Sequence, residues 1–358
     1  MANFTIISVK YFMSLTYTAY ASRNLIKYGG SALVAFVLLW SIGATSIKAY
    51  KSTHPAYVAP TVKYGILPKN VFPAKEFTAK NFTFEFTNDV IPSFSDQTKV
   101  YIIYRSKTEI LALEEAKGVA KNFGFESEPS EVSNGVYEFK NEATQKILTM
   151  NVLEGDFSLK YPYLNDASIL EAKDMPTKDK AIETAESFLE SGNKYTSDLK
   201  NGKKDVTYWK ISDGTLTSVG ALSESNAIKI EFYREFLDDK WEIVSPQSGA
   251  ASVSILVSGS AESDKKIIEA NFKYANIDRE SYSTYPIKTA NEAIAELKAG
   301  NYWPASDVSS EIVTIRSMEL AYYEPVTLTQ YLQPIYVFKG DNNFVAYVSA
   351  VTSKYISQ

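Results

Sequence analysis

Residues 289–300 read TANEAIAELKAG, and three stretches typical of β-strands follow them. Thr289 and Glu292 have the spacing of a helix capping box, and Gly300 supplies a helix stop. The strands predicted after this helix are Ile312–Tyr322, Tyr331–Phe338 and Phe344–Val351. A short helix followed by an antiparallel meander predicts an α+β fold.

The same order of elements occurs twice more upstream. Residues 106–124 (SKTEILALEEAKGVAKNFG) and Asp179–Ser191 predict amphipathic helices. The strands predicted around these two helices are Phe82–Thr87, Lys99–Arg105, Gly135–Lys140, Lys146–Leu153, Phe157–Tyr161, Val206–Ile211, Asn226–Phe236, Trp241–Val244 and Val253–Val257. We therefore expect antiparallel sheets, each covered by a short helix, in a first α+β unit at 76–172 and a second at 173–358.

An uncharged stretch near the N-terminus predicts a membrane segment. Gly29–Ile47 reads GGSALVAFVLLWSIGATSI and would span about 28 Å as a helix, close to the ~30 Å hydrocarbon core of a bilayer. Arg23 and Lys27 precede it, which favours a cytoplasmic tail at 1–28. A cleaved signal peptide is the alternative, because Ala32–Trp40 has the length of its apolar region. Both interpretations place residues 52–358 outside the cytoplasm.

Residues 48–75 connect this segment to the rest of the chain. They contain four prolines and show neither helical nor strand periodicity. Proline at this density favours an extended, semi-rigid chain. The sequence therefore predicts a Pro-rich tether that holds the body away from the bilayer.

Charge and composition exclude several classes of function. Residues 1–51 carry five basic side chains and no acidic one, so residues 52–358 hold 32 of the 37 Lys and Arg and all 42 Asp and Glu, a balance of −10. Such an acidic body is a poor partner for nucleic acid. The chain has no Cys and one His, which excludes thiolate and His-rich metal sites. We expect no metal, no cofactor and no enzymatic activity.

Several stretches resemble bacterial extracytoplasmic modules. Helices that open with Glu-Ala before antiparallel strands (Glu115-Ala116 and Glu292-Ala293), and the strand–turn–strand LTMNVLEGDF at 148–157, are similar to the PepSY and YycI/YycH families. The likeness to YycI is carried in region 279–358 by Asn291–Gly300, Leu320–Tyr323 and Leu332–Phe338. Tyr336 stands where that family has tryptophan. The resemblance implies regulation in the cell envelope by protein contact.

Arg234 is the first candidate binding residue. It lies on the same face of the predicted strand Asn226–Phe236 as several apolar side chains. A buried guanidinium requires a carboxylate or several carbonyl oxygens, because an unpaired buried charge is unfavourable. Arg234 is therefore either an anchor for an acidic peptide or ligand, or part of a structural ion pair.

Four aromatic residues are the other candidates. Tyr302 and Trp303 either stack on a sugar or a protein partner, or fold back onto the adjoining sheet. Pro334 has no N–H to donate, which predicts a strand end or an unpaired sheet edge. An open edge would offer Tyr331 and Tyr336 to an extended partner segment by strand addition. Alternatively, another strand or the 302–304 loop covers this edge.

Two classes of function stay open at this point. The first is a membrane-anchored envelope protein that acts by contact with another envelope or membrane protein. The second is a cell-wall protein that binds or hydrolyses glycans, for which the acids around Asp238 and Asp239 are the candidate carboxylates. Turn chemistry and a solvated face explain these two acids better. A deep pocket with convergent acids would favour the hydrolase, and a shallow aromatic groove would favour protein contact.

Overall fold

The computed structural model describes residues 15–53, 57–75, 79, 81–104, 109–172, 174–307, 310–325, 327 and 329–357. The chain divides into an N-terminal unit, Met1–Ala59, and a second unit, Pro60–Gln358. The second unit contains the sheets, and we call it the body.

The N-terminal unit contains one long helix, α1 (Leu15–Thr53). This helix includes the predicted segment Gly29–Ile47 and continues beyond it at both ends. Residues Leu15–Tyr50 are long and apolar enough to cross a membrane by length and composition, and large side chains such as Phe36 and Trp40 are exposed. A signal sequence near the N-terminus has the same properties.

The body combines short helices with many strands. Its helices are α2 (Glu109–Asn122), α3 (Ala167–Leu170), α4 (Lys178–Ser191), α5 (Ser197–Asn201) and α6 (Ala290–Lys298). Its strands are β1 (Asn81–Phe84), β2 (Gln97–Ile103), β3 (Ser130–Ser133), β4 (Val136–Asn141), β5 (Lys146–Asn151), β6 (Asp156–Lys160), β7 (Lys204–Ser212), β8 (Thr215–Val219), β9 (Ala227–Phe232), β10 (Ile243–Val244), β11 (Val253–Ser258), β12 (Ile267–Phe272), β13 (Ile277–Pro286), β14 (Trp303–Pro304), β15 (Ile312–Tyr323), β16 (Tyr331–Gly340) and β17 (Val345–Ser349).

One sheet has nine strands in the order β3-β4-β5-β6-β12-β11-β9-β7-β8, all antiparallel. Helices α2 and α4 pack in the core on this sheet. Helix α2 presents Ala112, Ala116 and Ala120, whose spacing of four residues places small side chains on one face. Phe123 and Phe188 stack at 4.2 Å between ring centroids, which joins the ends of the two helices.

The other sheet has eight strands and a central path β1-β15-β16-β17-β14. Strand β2 pairs with β13 and β16, and β10 pairs with β15. The β1–β15 and β10–β15 pairs are parallel, and the other pairs are antiparallel. Helix α6 begins with the predicted capping box and buries Ala293 and Leu297 in the same core as Tyr336 and Phe338. The predicted α+β class, with sheets covered by short helices, is confirmed.

The pairing of the strands differs from the predicted division at residues 172 and 173. Strand β6 pairs with β12, and β1 pairs with β15, so strands from both sides of this point lie in each sheet. Hairpin partners are neighbours in sequence and leave local turn signals. Strands that pair over a long distance in the chain have no such signal between them. The division at 172 and 173 was therefore drawn from local patterns alone.

The predicted tether also differs from the structure where its residues are described. Residues 48–53 continue helix α1, and residues 60–75 belong to the body. Leu67 is fully buried, and its N–H donates to the carbonyl oxygen of Tyr355 at 2.8 Å. Tyr64 stacks on Tyr331 with 5.0 Å between ring centroids. Apolar side chains between the prolines therefore fix this segment on the body.

Candidate functional site

Arg234 lies two residues beyond the end of β9, in a buried ion-pair cluster. Its Nε donates to Oδ2 of Asp198 at 2.8 Å, and its Nη1 donates to Oε1 of Glu324 at 2.9 Å. Nη1 also donates to the carbonyl oxygen of Ala275 at 2.7 Å. We call Arg234, Asp198 and Glu324 the Arg234 cluster.

Other donors complete the hydrogen bonding of both carboxylates. Asp198 Oδ1 accepts bonds from the hydroxyls of Thr196 at 2.6 Å and Tyr274 at 2.7 Å. Burial alone would raise the pKa of Asp198, but Arg234 and these hydroxyls hold it below its usual range. Glu324 accepts bonds from the Ser252 hydroxyl at 2.6 Å and from the Ala275 N–H at 2.8 Å. The cluster thus has the contacts of a structural ion pair, the second interpretation of Arg234.

The Arg234 cluster joins the two sheets. Asp198 belongs to α5, and Arg234 follows β9 of the nine-stranded sheet. Glu324 follows β15 of the eight-stranded sheet, and Ala275 lies between β12 and β13, where the chain passes from one sheet to the other. Its position therefore explains why a charged side chain lies among apolar strands.

Tyr302 and Trp303 are buried, with 7% of each residue exposed. The Trp303 ring stacks on Phe72 at 5.6 Å with an interplanar angle of 7°, and its Nε1 donates to the Pro246 carbonyl oxygen at 3.2 Å. The Tyr302 hydroxyl donates to the carbonyl oxygen of Ala79 at 2.7 Å. An exposed aromatic platform is therefore wrong for this pair, which folds back onto the sheet.

The open-edge interpretation of Pro334 is also wrong, and the alternative of a covered edge agrees with the structure. Strand β16 lies between β15 and β17, and Pro334 is buried opposite Tyr322. The pairing of β16 with β17 ends at Ile335, one residue away, so the missing N–H of Pro334 lies just outside that ladder. Tyr336 is fully buried and its hydroxyl donates to the Lys288 carbonyl oxygen. Tyr331 is half-buried and pairs with β2, so another strand covers the predicted edge.

Asp238 and Asp239 form a turn. Both have positive φ values, 51° and 54°, which a turn between Leu237 and Trp241 requires. Asp238 accepts a bond from the Tyr101 hydroxyl at 2.7 Å and pairs with Lys99 at 2.8 Å. Over the described ranges, no group of three or more His, Asp or Glu side chains is placed to hold a metal ion.

A cavity of about 690 Å³ lies beside helix α2, and we call it the α2 groove. One wall is α2, with Glu115 and Val119. The opposite side consists of the β5–β6 turn, residues 153–155, and the segment after α4 that contains Lys194. Phe272 and Tyr274 also line the groove. The five candidate binding residues do not line it, namely Arg234, Tyr302, Trp303, Tyr331 and Tyr336.

Lys194 brings a half-buried positive charge into the α2 groove. Its Nζ donates to the Gly155 carbonyl oxygen at 3.3 Å and lies 5.4 Å from the centroid of the Phe272 ring. Burial lowers the pKa of Lys194, although the nearby carboxylates of Asp156 and Glu115 act in the opposite direction. The groove therefore contains a desolvated ammonium group that a ligand can reach.

Asp156 lies next to the groove, in a recess of about 30 Å³ that shares Glu154 and Tyr274 with it. Its Oδ1 accepts the backbone N–H of Tyr274 at 3.1 Å. Burial raises the pKa of Asp156 to about 6, against the opposing effect of this hydrogen bond. Tyr274 in turn donates to Asp198, and its ring lies 4.2 Å from the Arg234 guanidinium carbon. One tyrosine thus connects the groove to the Arg234 cluster.

Sequence patterns carried little signal for this site. The alanines at 112, 116 and 120 are spaced for a close helix–sheet contact, and the turn Glu154-Gly155-Asp156 follows a predicted strand. Lys194 follows the helix stop Gly192 without any motif around it. Only the packing of α2, β5 and α4 brings these residues to one cavity.

No protein-family model matches the chain, and no curated protein matches it. Among solved structures, an uncharacterized protein from Eubacterium rectale is similar at 15% identity and a TM-score of 0.37, over 79% of this chain and 90% of that chain. The YpeB C-terminal domain of Bacillus megaterium is similar at 14% identity and a TM-score of 0.30, over 70% of this chain and 95% of that chain. Values this low assign neither a family nor a function, and the resemblance to PepSY and YycI/YycH stays a prediction.

Replacing Arg234 tests how much its cluster contributes to the stability of the body. Arg234→Met leaves Asp198 and Glu324 buried without their cation, and we expect a loss of about 3–5 kcal/mol in the free energy of unfolding. Arg316→Met is the matched control, because Arg316 also pairs with two carboxylates but its side chain is 48% exposed, against 3% for Arg234. The control should lose clearly less, because solvent screens an exposed ion pair. Urea unfolding measures both, and equal losses would contradict the assignment.

Asp156→Asn should stabilise the body at neutral pH. Because the folded pKa of Asp156 lies above the usual value of 3.8, ionisation of this group destabilises the folded state as the pH rises from about 4 to about 6. Asn keeps an acceptor for the Tyr274 N–H without the charge. We expect a gain of about 1–2 kcal/mol at pH 8 that disappears below pH ~4.

Asp166→Asn is the control of opposite sign for this pH dependence. Burial raises the pKa of Asp166, but bonds from Tyr161, Ser168 and Lys265 hold it well below its usual range. The ionised form is therefore favoured in the folded state, and Asp166→Asn should lower stability at pH 8. Thermal unfolding at several pH values measures both variants. A loss of stability in Asp156→Asn at pH 8 would refute the assigned environment.

Proposed function

We propose that this chain is a single-pass membrane protein whose body acts outside the cytoplasm by binding another envelope protein, without catalysing a reaction. The observation that carries the proposal is the α2 groove, an open concave site with a desolvated cation, on a chain whose N-terminal helix is long enough to cross a membrane. Concave sites with a few polar groups on an apolar lining are typical of ligand recognition.

Apolar side chains around the α2 groove favour a protein partner. Tyr104 lines the groove and is 54% exposed, and Leu153 lines it at 37%. At the start of α2, Ile110 and Leu111 are exposed as well. Exposed apolar side chains in a cavity and on the helix that forms its wall are typical of a contact surface. The balance of −10 over residues 52–358 argues against a nucleic-acid partner.

The glycan alternative has less support. Stacking on a sugar requires an exposed aromatic face, and Phe72 covers the ring of Trp303. Hydrolysis requires two carboxyl groups that face each other across a cleft. Glu115 on α2 and Glu154 in the β5–β6 turn lie on opposite sides of the α2 groove, but Glu115 is exposed to solvent, whereas a carboxyl group that donates a proton in hydrolysis needs a desolvated site.

Single cysteines test the proposed topology, because the chain contains none of its own. Ser218→Cys lies on the exposed strand β8, and Ser22→Cys lies in α1 before the uncharged segment. A membrane-impermeant maleimide should label Cys at position 218 in intact cells. If an outer barrier of the cell blocks the reagent, spheroplasts are used instead. It should label Cys at position 22 only after permeabilisation. Labelling of position 22 in intact spheroplasts, or protection of position 218, would contradict the topology.

Photocrosslinking tests the binding function of the α2 groove. The substitution Tyr104→p-benzoylphenylalanine places an aromatic crosslinker at the groove, and Phe236→p-benzoylphenylalanine is the control, 52% exposed and outside the groove lining. In the native membrane, position 104 should yield a discrete protein adduct that position 236 does not. Identical adducts at both positions, or none at position 104, would refute the proposed contact.

A further inference from the structure

Among the residues that the structure describes, Lys194 has no carboxylate in direct contact with its ammonium group. An ammonium group has three donors, and Nζ uses one of them on the Gly155 carbonyl oxygen at 3.3 Å. In the part of the chain that the structure describes, no carboxylate oxygen lies within 4.0 Å of this nitrogen. The remaining contact is the Phe272 ring at 5.4 Å. The other donors are therefore available on the groove side.

Lys288 is a buried lysine whose ammonium group is paired within the body. Lys288 lines another cavity, of about 640 Å³, and is 8% exposed. Its Nζ donates to Glu296 at 2.8 Å and to the Ser349 carbonyl oxygen at 2.8 Å. Lys288 therefore needs no further anion. Lys194 has one long hydrogen bond in the same kind of position.

We infer that Lys194 anchors a carboxylate group of a bound peptide, so that the α2 groove recognises a chain end or an acidic side chain of the partner. The inference rests on the proposed binding function of the groove. A desolvated ammonium without a carboxylate in direct contact is unfavourable, and a carboxylate that enters the groove supplies that contact in a charge-assisted hydrogen bond. The favourable contact of this charge therefore forms only when the ligand binds.

The surroundings of Lys194 favour a peptide over a small free anion. Glu115 is exposed on α2, Glu154 lies in the β5–β6 turn, and Asp156 lies in the adjoining recess. These acids repel a bare anion and attract N–H groups or a basic side chain that accompany the carboxylate. A volume of about 690 Å³ lies in the ~300–1,000 Å³ range of pockets that enclose small organic ligands. It fits a short peptide segment.

Three tripeptide probes distinguish the sources of the carboxylate. The probes are lysyl-alanyl-alanine as the free acid, the same peptide as its C-terminal amide, and lysyl-glutamyl-alanine amide. Calorimetric titration uses the full chain in nanodiscs. We expect the free acid to bind at least tenfold more tightly than the plain amide if a chain end is recognised. The glutamyl amide should show that advantage if an acidic side chain is recognised.

Variants assign the effect to Lys194. Lys194→Met keeps the aliphatic stem and should weaken binding of the preferred probe at least tenfold. Lys121→Met is the matched control, an exposed lysine of α2 outside the groove lining, and should leave the affinity unchanged. Equal affinity of all three probes, no binding of any probe at millimolar concentration, or unchanged affinity in Lys194→Met would overturn the inference.

Thermal unfolding without ligand separates an anchor from a structural lysine. Because no described carboxylate lies within 4.0 Å of Nζ of Lys194, Lys194→Met should have the same or a higher Tm than the parent chain. Lys288→Met leaves Glu296 without its cation and should have a lower Tm. A Tm of Lys194→Met reduced as much as that of Lys288→Met would overturn the inference. A protein adduct at position 104 together with failed peptide binding would refute the carboxylate anchor and leave the proposed function supported.

Discussion

Arg234 makes the one interaction on which the arrangement of both sheets depends. Its guanidinium holds the carboxylate of Asp198 from α5, the carboxylate of Glu324 after β15, and the carbonyl oxygen of Ala275 between β12 and β13. The three partners belong to different parts of the fold and meet at this guanidinium group. A buried ion pair contributes little net stability against an apolar replacement, but its directional bonds fix which strand ends meet. We interpret the cluster as a device for specificity of the fold.

Tyr274 extends this constraint to the α2 groove. Its hydroxyl is held by Asp198, its ring faces Arg234, and its backbone N–H holds Asp156 beside the β5–β6 turn. The same turn carries Gly155, whose carbonyl oxygen accepts the bond from Lys194. The position of the groove cation is therefore fixed through a short series of hydrogen bonds that begins at the sheet junction. A site built this way is preorganised, because its polar groups are held before a ligand binds.

The sequence was informative wherever the deciding contacts are local. The capping box of Thr289 and Glu292 closes within one helical turn, and α6 begins where it predicts. The alternation before Arg234 indicated a buried cation, yet its partners lie 36 and 90 residues away in the chain, and no local pattern names them. The missing N–H of Pro334 predicted a strand end or an unpaired edge, and this was wrong, because proline is accommodated inside β16 at the point where its ladder with β17 ends. The α2 groove arises only from packing, and so it was not predicted.

The parallel pair β1–β15 has a consequence for how the chain acquires its fold. Thr83 and Thr314 contact each other across 231 residues, and Leu67 is bonded to Tyr355 and Ser357 near the C-terminus. Closing loops of this length is entropically slow, and strands that wait for distant partners expose their edges. A chain synthesised from its N-terminus cannot complete the eight-stranded sheet until its last strands have emerged. Until then, β1 lacks its partner β15 and β2 lacks its partners β13 and β16, so their backbone N–H and C=O groups stay unpaired within this sheet.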